Sequence, residues 1–129
     1  MPIRWSIDHT ARLVRVLATG EPTAKDFTDM IAAVRSAGTQ GYRSIIVSRG
    51  LSNVRGKEVA AWAEISAARA DTAVSSGQIA LVTMSDAGRE IADFYIKRLR
   101  DRRPCAVFET VEAALAWLGL PPDTPAYPE

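Results

Sequence analysis

Three short apolar runs, spaced by longer segments of helical periodicity, restrict this chain more than any other feature. They are Arg43–Ser48, Ile79–Thr83 and Cys105–Phe108. Each is bounded by turn-forming residues, and each intervening segment is long enough to carry a crossover helix. Such alternation predicts an α/β fold, with parallel strands joined by right-handed connections.

The first residues depart from that alternation. Ile3, Trp5 and Ile7 alternate with Arg4, Ser6 and Asp8, the period-two mark of a strand with one buried face. Asp8-His9-Thr10-Ala11 reads as a turn, and Arg12 to Ala18 as a second strand. In that strand Val14, Val16 and Ala18 share one face, and Leu13, Arg15 and Leu17 the other. A short link between two such runs makes an antiparallel hairpin. Because the second strand is apolar on both faces, it is expected inside the sheet.

Four helices are predicted. Thr23 stands three residues before Asp26 in the manner of a capping box, followed by the stripe Phe27, Met30, Ile31 and Val34 and by a stop at Gly38. The second runs from about Gly56 to Ala70, with Val59, Trp62, Ala63 and Ser66 as its stripe. Ser85-Asp86 opens the third, with Ala87, Ile91, Phe94, Tyr95 and Arg98 along one side. Its basic end, Lys97 to Arg103, opposes the helix dipole. Thr110 caps the fourth, whose stripe is Val111, Ala114, Leu115 and Leu118 and whose stop is Gly119. The fold class expected is therefore α/β, a mixed five-stranded sheet with an N-terminal antiparallel hairpin, parallel strands after it, and four helices. A single domain spans residues 1–119, and the tail at 120–129 is expected to be extended and disordered, with four prolines in PPDTPAYPE.

Composition narrows the functions. One cysteine, Cys105, excludes an internal disulfide and a zinc site built from several cysteines. One histidine, His9, argues against two-histidine metal sites and His-based triads, so an enzyme ranks last and neither metal nor cofactor is implied. A net charge of +1 gives no reason to expect broad nucleic-acid affinity. No stretch has signal-peptide or membrane-span hydrophobicity, which makes the cytoplasm the default expectation.

The segment VSRGLSNVRGKEVAAW, from Val47 to Trp62, leaves a strand and enters a helix. Strand carboxyl ends are where open parallel sheets place ligands. Ser48, Arg49, Ser52, Asn53, Arg55 and Lys57 could meet an anion there, since a helix start adds free N–H groups and the glycines allow close approach. The pattern matches neither a P-loop nor a dinucleotide fingerprint, and a plain strand-to-helix turn is the simpler account of it. Ser85 and Asp86 should stand at the same end of the sheet. Asp86 repels anions, so the expected rim is mixed in charge and suits a protein partner or a zwitterion as well as phosphate.

Four stretches carry a family resemblance: IDHTARLVRVLATGEPTAKDF, YRSIIVSRG, GQIALVTMSD and CAVFETVEAALAWL. Over residues 3 to 118 the chain resembles the SpoIIAA-like small bacterial proteins, relatives of the STAS domains of anti-sigma factor antagonists. That resemblance implies a βα superhelix, a fold shared with Sec14-like lipid-transfer domains. In anti-sigma factor antagonists an acidic residue ends the strand before a loop bearing a phosphorylatable Ser or Thr. Here Ser48 ends that strand, the acceptor position falls near Lys57 or Glu58, and the Asp-Ser-Ser-Gly type signature is missing. The phosphorylation switch is therefore not carried over.

Two non-enzymatic functions are expected. One is a STAS-type binding or regulatory module that recognises a protein partner or small anionic ligand at the strand-end loops. The other is a carrier of an apolar or lipid-like ligand. A homodimer is also expected, to bury what the helices leave uncovered on the second strand.

Overall fold

The computed structural model describes residues 3–20, 22–39, 41–51, 77–99 and 104–128. Five strands form one sheet in the order of the chain: β1 (Ile3–Asp8), β2 (Leu13–Gly20), β3 (Arg43–Leu51), β4 (Ile79–Val82) and β5 (Cys105–Phe108). β1 and β2 pair antiparallel, and every later pair is parallel. The described helices are α1 (Ala24–Ser36), α2 (Asp86–Leu99) and α3 (Val111–Leu118). The helix expected over 56–70 lies outside the described residues, as does Trp62, and three helices are described where four are expected.

Local chemistry sets the helix ends. Thr23 accepts from the Asp26 N–H at 3.2 Å, and the Asp26 carboxylate accepts from the Thr23 N–H at 2.9 Å, a complete capping box. Thr110 accepts from the Ala113 N–H at 3.2 Å, and Gly119 closes α3 with φ 74°.

α1 and α2 cover one face of the sheet. Phe27 and Met30 pack on Ile3, Val14 and Val16, while Ala92 packs on Ile79 and Leu81. Both crossovers step the same way across the sheet, so connections of one hand place both helices on one side. Within α2 the described inward positions are Ala92 and Ile96, which the expected stripe did not include. The side chains of Ala87, Ile91, Phe94, Tyr95 and Arg98 lie outside the description.

α3 covers the opposite face. Ala114, Leu115 and Leu118 close over Leu13, Ile45, Val47, Ala80 and Val82. Its last turn holds no basic residue, so its free carbonyls need donors from elsewhere. Arg43 Nη1 donates to the Leu118 carbonyl at 2.8 Å and Nη2 to that of Ala11 at 3.2 Å; Gln78 Nε2 donates to the Trp117 carbonyl at 3.1 Å. Trp117 itself stacks at a tilt against Phe108.

The tail corrects an expectation. It is docked: Ala126 is buried in the core cluster beneath α3, and Pro128 is buried as well. The partner that composition concealed is Arg15, on the same face of β2 as Leu13 and Leu17. Arg15 is 5% exposed, and its Nε donates to the Pro125 carbonyl. Four prolines supply few main-chain donors, but a buried guanidinium supplies the missing ones. β2 is thus covered on both faces within one chain, which removes the reason given for a dimer.

Candidate functional site

Because β2 to β5 run parallel, their carboxyl ends come together at one edge. Thr19 and Gly20 stand there with Arg49, Thr83 to Asp86, and Glu109. β3 runs three residues beyond its expected end at Ser48, so Arg49 belongs to a strand and not to a loop. Arg49 pairs with Thr19 and Leu51 with Gly20, which leaves Gly50 unmatched as a bulge. That register shift allows the strand to continue through a glycine that reads, in sequence, as a stop.

Ser48 is half-buried opposite Ala18. Arg49 is exposed, and its guanidinium carbon lies 5.4 Å from the centroid of the Tyr127 ring, within cation–π range. The tail therefore reaches the edge. Ser52, Asn53, Arg55 and Lys57 lie outside the described residues.

The β4 end is closely built. Thr83 is 5% exposed, and its N–H donates to the Phe108 carbonyl at 3.0 Å. Ser85 Oγ accepts from the Gly88 N–H at 3.0 Å, so Ser85 caps α2. A Cβ on Gly88 would stand 2.0 Å from Thr83 Oγ1 and 2.9 Å from Ser85 Oγ. Only glycine lets the first turn of α2 close over that threonine. Asp86 is exposed in the same turn, where its charge favours the positive end of the dipole. With a hydroxyl and a carboxylate already in place, this helix start holds no vacant anion site.

Two features of the edge went unread in the sequence. Met84 is 87% exposed, separated only by buried Thr83 from a strand whose four residues are all buried. Arg89 Nη1 bridges to Glu109 Oε1 at 3.2 Å, joining α2 to the residue after β5. The string VTMSD held the signal for Met84: an apolar residue between a buried strand and a helix cap has no core left to enter.

A partly buried ion pair lies at the opposite end of the hairpin. Asp8 Oδ1 accepts from the Ala11 N–H at 2.9 Å, and Oδ2 meets Arg15 Nη2 at 3.1 Å. These contacts, the Ala11 N–H first, hold the Asp8 carboxyl below its ordinary value, against an opposing push from burial. No group of three or more His, Cys, Asp or Glu side chains converges among the described residues. No helix there is long and apolar enough to cross a membrane.

No family model matches the chain. No curated relative matches it either. Among solved structures, the chain is similar to a DUF3478-family protein with a SpoIIAA-like fold from Shewanella loihica PV-4. The two share 16% identity with a TM-score of 0.61, over 90% of this chain and 93% of the other. The fold is therefore SpoIIAA-like, in agreement with the resemblance read from sequence.

Proposed function

We propose that the chain is a non-enzymatic binding or regulatory module of STAS type, which recognises a protein partner at the carboxyl-end edge of its sheet. One observation carries this reading: Met84 stands 87% exposed between buried Thr83 and the self-capped start of α2. A single exposed apolar side chain is ordinary on a surface. At this edge, however, it is joined by exposed Asp86 and by the exposed Arg89–Glu109 pair, and an apolar anchor among polar rim groups is what a protein interface uses. Met also adapts its shape to a partner surface. The SpoIIAA-like neighbour supports the module at the level of fold. The occupied start of α2 disfavours a small anion on that helix and favours a protein.

Site-specific photocrosslinking tests this. A photoreactive residue at 84 should give a discrete adduct in the source cell, and one at exposed Glu112 on α3 should not. The same adducts from both positions, or none from 84, would refute the proposed edge. Lipid recovered by native mass spectrometry, with no crosslink at 84, would favour the apolar carrier instead.

A further inference from the structure

The tail is held in an unusual way. Its main-chain hydrogen bonds among the described residues are local: Leu120 N–H to the Leu115 carbonyl at 2.9 Å, and Thr124 N–H to that of Pro121 at 3.0 Å. None of the described strands takes it into a ladder. Beyond the turn at 121–124, three successive residues meet the sheet, each differently. The Pro125 carbonyl accepts from Arg15, Ala126 enters the core cluster at 4% exposure, and the Tyr127 ring meets Arg49. The seat thus reads a carbonyl, a small side chain and an aromatic ring, in that order.

The seat has a second support besides the tail. Asp8 Oδ2 accepts from Arg15 Nη2 at 3.1 Å, so the guanidinium that meets the Pro125 carbonyl is also held from within the hairpin. Ser6 lies opposite Arg15 in the hairpin, and its Oγ is buried with no hydrogen-bond partner among the described residues. Proline-fixed segments lose little entropy on docking, which is why they recur as peptide ligands. Here the aromatic ring lies on the segment and the cation on the groove.

We propose that this face of β1 to β3 is a recognition groove for an extended segment of the form proline, small residue, aromatic residue, proline. The chain's own Pro125-Ala126-Tyr127-Pro128 is its resident and displaceable occupant. This role is separate from the Met84 edge, although displacement of the tail also frees Arg49.

A fluorescently labelled peptide of residues 120–129 tests the groove in the full-length chain. The tethered tail competes at an effective concentration on the order of millimolar, so wild type should bind the peptide weakly. Full-length Tyr127→Ala weakens its own tail and should bind the peptide about tenfold more tightly. Alanine for the peptide's tyrosine should abolish that gain, and so should adding Arg49→Ala to the Tyr127→Ala chain. Equal binding by the wild-type and Tyr127→Ala chains, or indifference to the peptide's tyrosine, would overturn the proposal. Should Tyr127→Ala fail to fold, native-state hydrogen exchange of wild type decides. The Arg15 Nε–H, which donates to the Pro125 carbonyl, should exchange well before the amides of β2 and β3. Exchange only through global unfolding would make the tail an integral part of the core and sink the idea.

Discussion

The two faces of the sheet are sealed by different means. On one face α1 and α2 contribute apolar packing through Phe27, Met30 and Ala92. On the other, α3 also buries leucines, but arginine and glutamine side chains bind carbonyls of the covering elements: Arg43 to Leu118, Gln78 to Trp117, and Arg15 to Pro125. Connectivity explains the contrast. α1 and α2 are each tied to a strand at both ends, so the chain itself limits how they can sit. α3 and the tail follow β5, and no described strand comes after them to fix their far side. Burial is non-directional and does not choose among docked orientations, whereas hydrogen bonds to particular carbonyls do.

Cavity formation should cost the most and should not distinguish the faces. Leu115→Ala and Met30→Ala remove side chains that are 1% and 5% exposed. Each should lose about 3 kcal/mol in urea unfolding at unchanged slope. A much smaller loss at Leu115 would show that α3 is loosely seated and would break the comparison. The next effect belongs to one face alone. Arg15→Ala deletes a buried guanidinium and leaves the Pro125 carbonyl unmet, which should cost about 2 kcal/mol. Arg15→Met keeps the apolar stem and should cost about half of that. Equal losses would assign the whole effect to the polar contacts; no loss in Arg15→Met would assign it to packing.

Much of the first face was legible in the sequence, and less of the second. Thr23, Asp26, Phe27, Met30, Ile31 and Val34 carry cap and stripe in one short segment, so local chemistry and burial agree there. The stripe of α3 was equally open to reading. The tail was not, because its composition specifies only what it cannot do: prolines withhold N–H groups and discourage regular structure. Its docking depends on Arg15, whose alternation with Val14 and Val16 marks a face but not a partner far away in sequence. Arg49 was misplaced for a related reason. Gly50 reads as a break, yet the bulge opposite Thr19 and Gly20 lets β3 pass through it. The edge itself follows from strand order, and Ser48, Arg49, Ser85 and Asp86 do stand at it. Met84 was overlooked because residue type alone argues for burial, while its position argues against it.

The caps offer a smaller comparison between the faces. Thr23 takes part in a reciprocal box, and Thr110 makes one side-chain contact to its helix. Thr23→Ala should therefore cost about 1 kcal/mol or slightly more, and Thr110→Ala somewhat less, both by urea unfolding. The reverse order would mean that docking of α3 depends on its first turn more than on the arginine and glutamine contacts at its last.

The smallest effect is one of pH, and it bears on both the Asp8 turn and the polar anchoring of the second face. Asp8 has its carboxyl held below the ordinary value of 3.8, first by the Ala11 N–H and then by Arg15. A carboxyl whose folded pKa lies below its unfolded one stabilises fully above the unfolded value. That contribution fades as pH falls through the folded value. Wild type should therefore lose melting temperature below pH 3.8 more steeply than Asp8→Asn, which has no charge to lose there. Above that pH the variant should be the less stable of the two, since Arg15 has lost its charged partner. The amide oxygen of the variant would still accept from the Ala11 N–H, so the turn itself should survive. Parallel acid limbs for the two proteins would show that Asp8 does not hold Arg15 in place. The Pro125 carbonyl would then be what anchors that guanidinium, and the groove would be formed by the tail and not prepared for it.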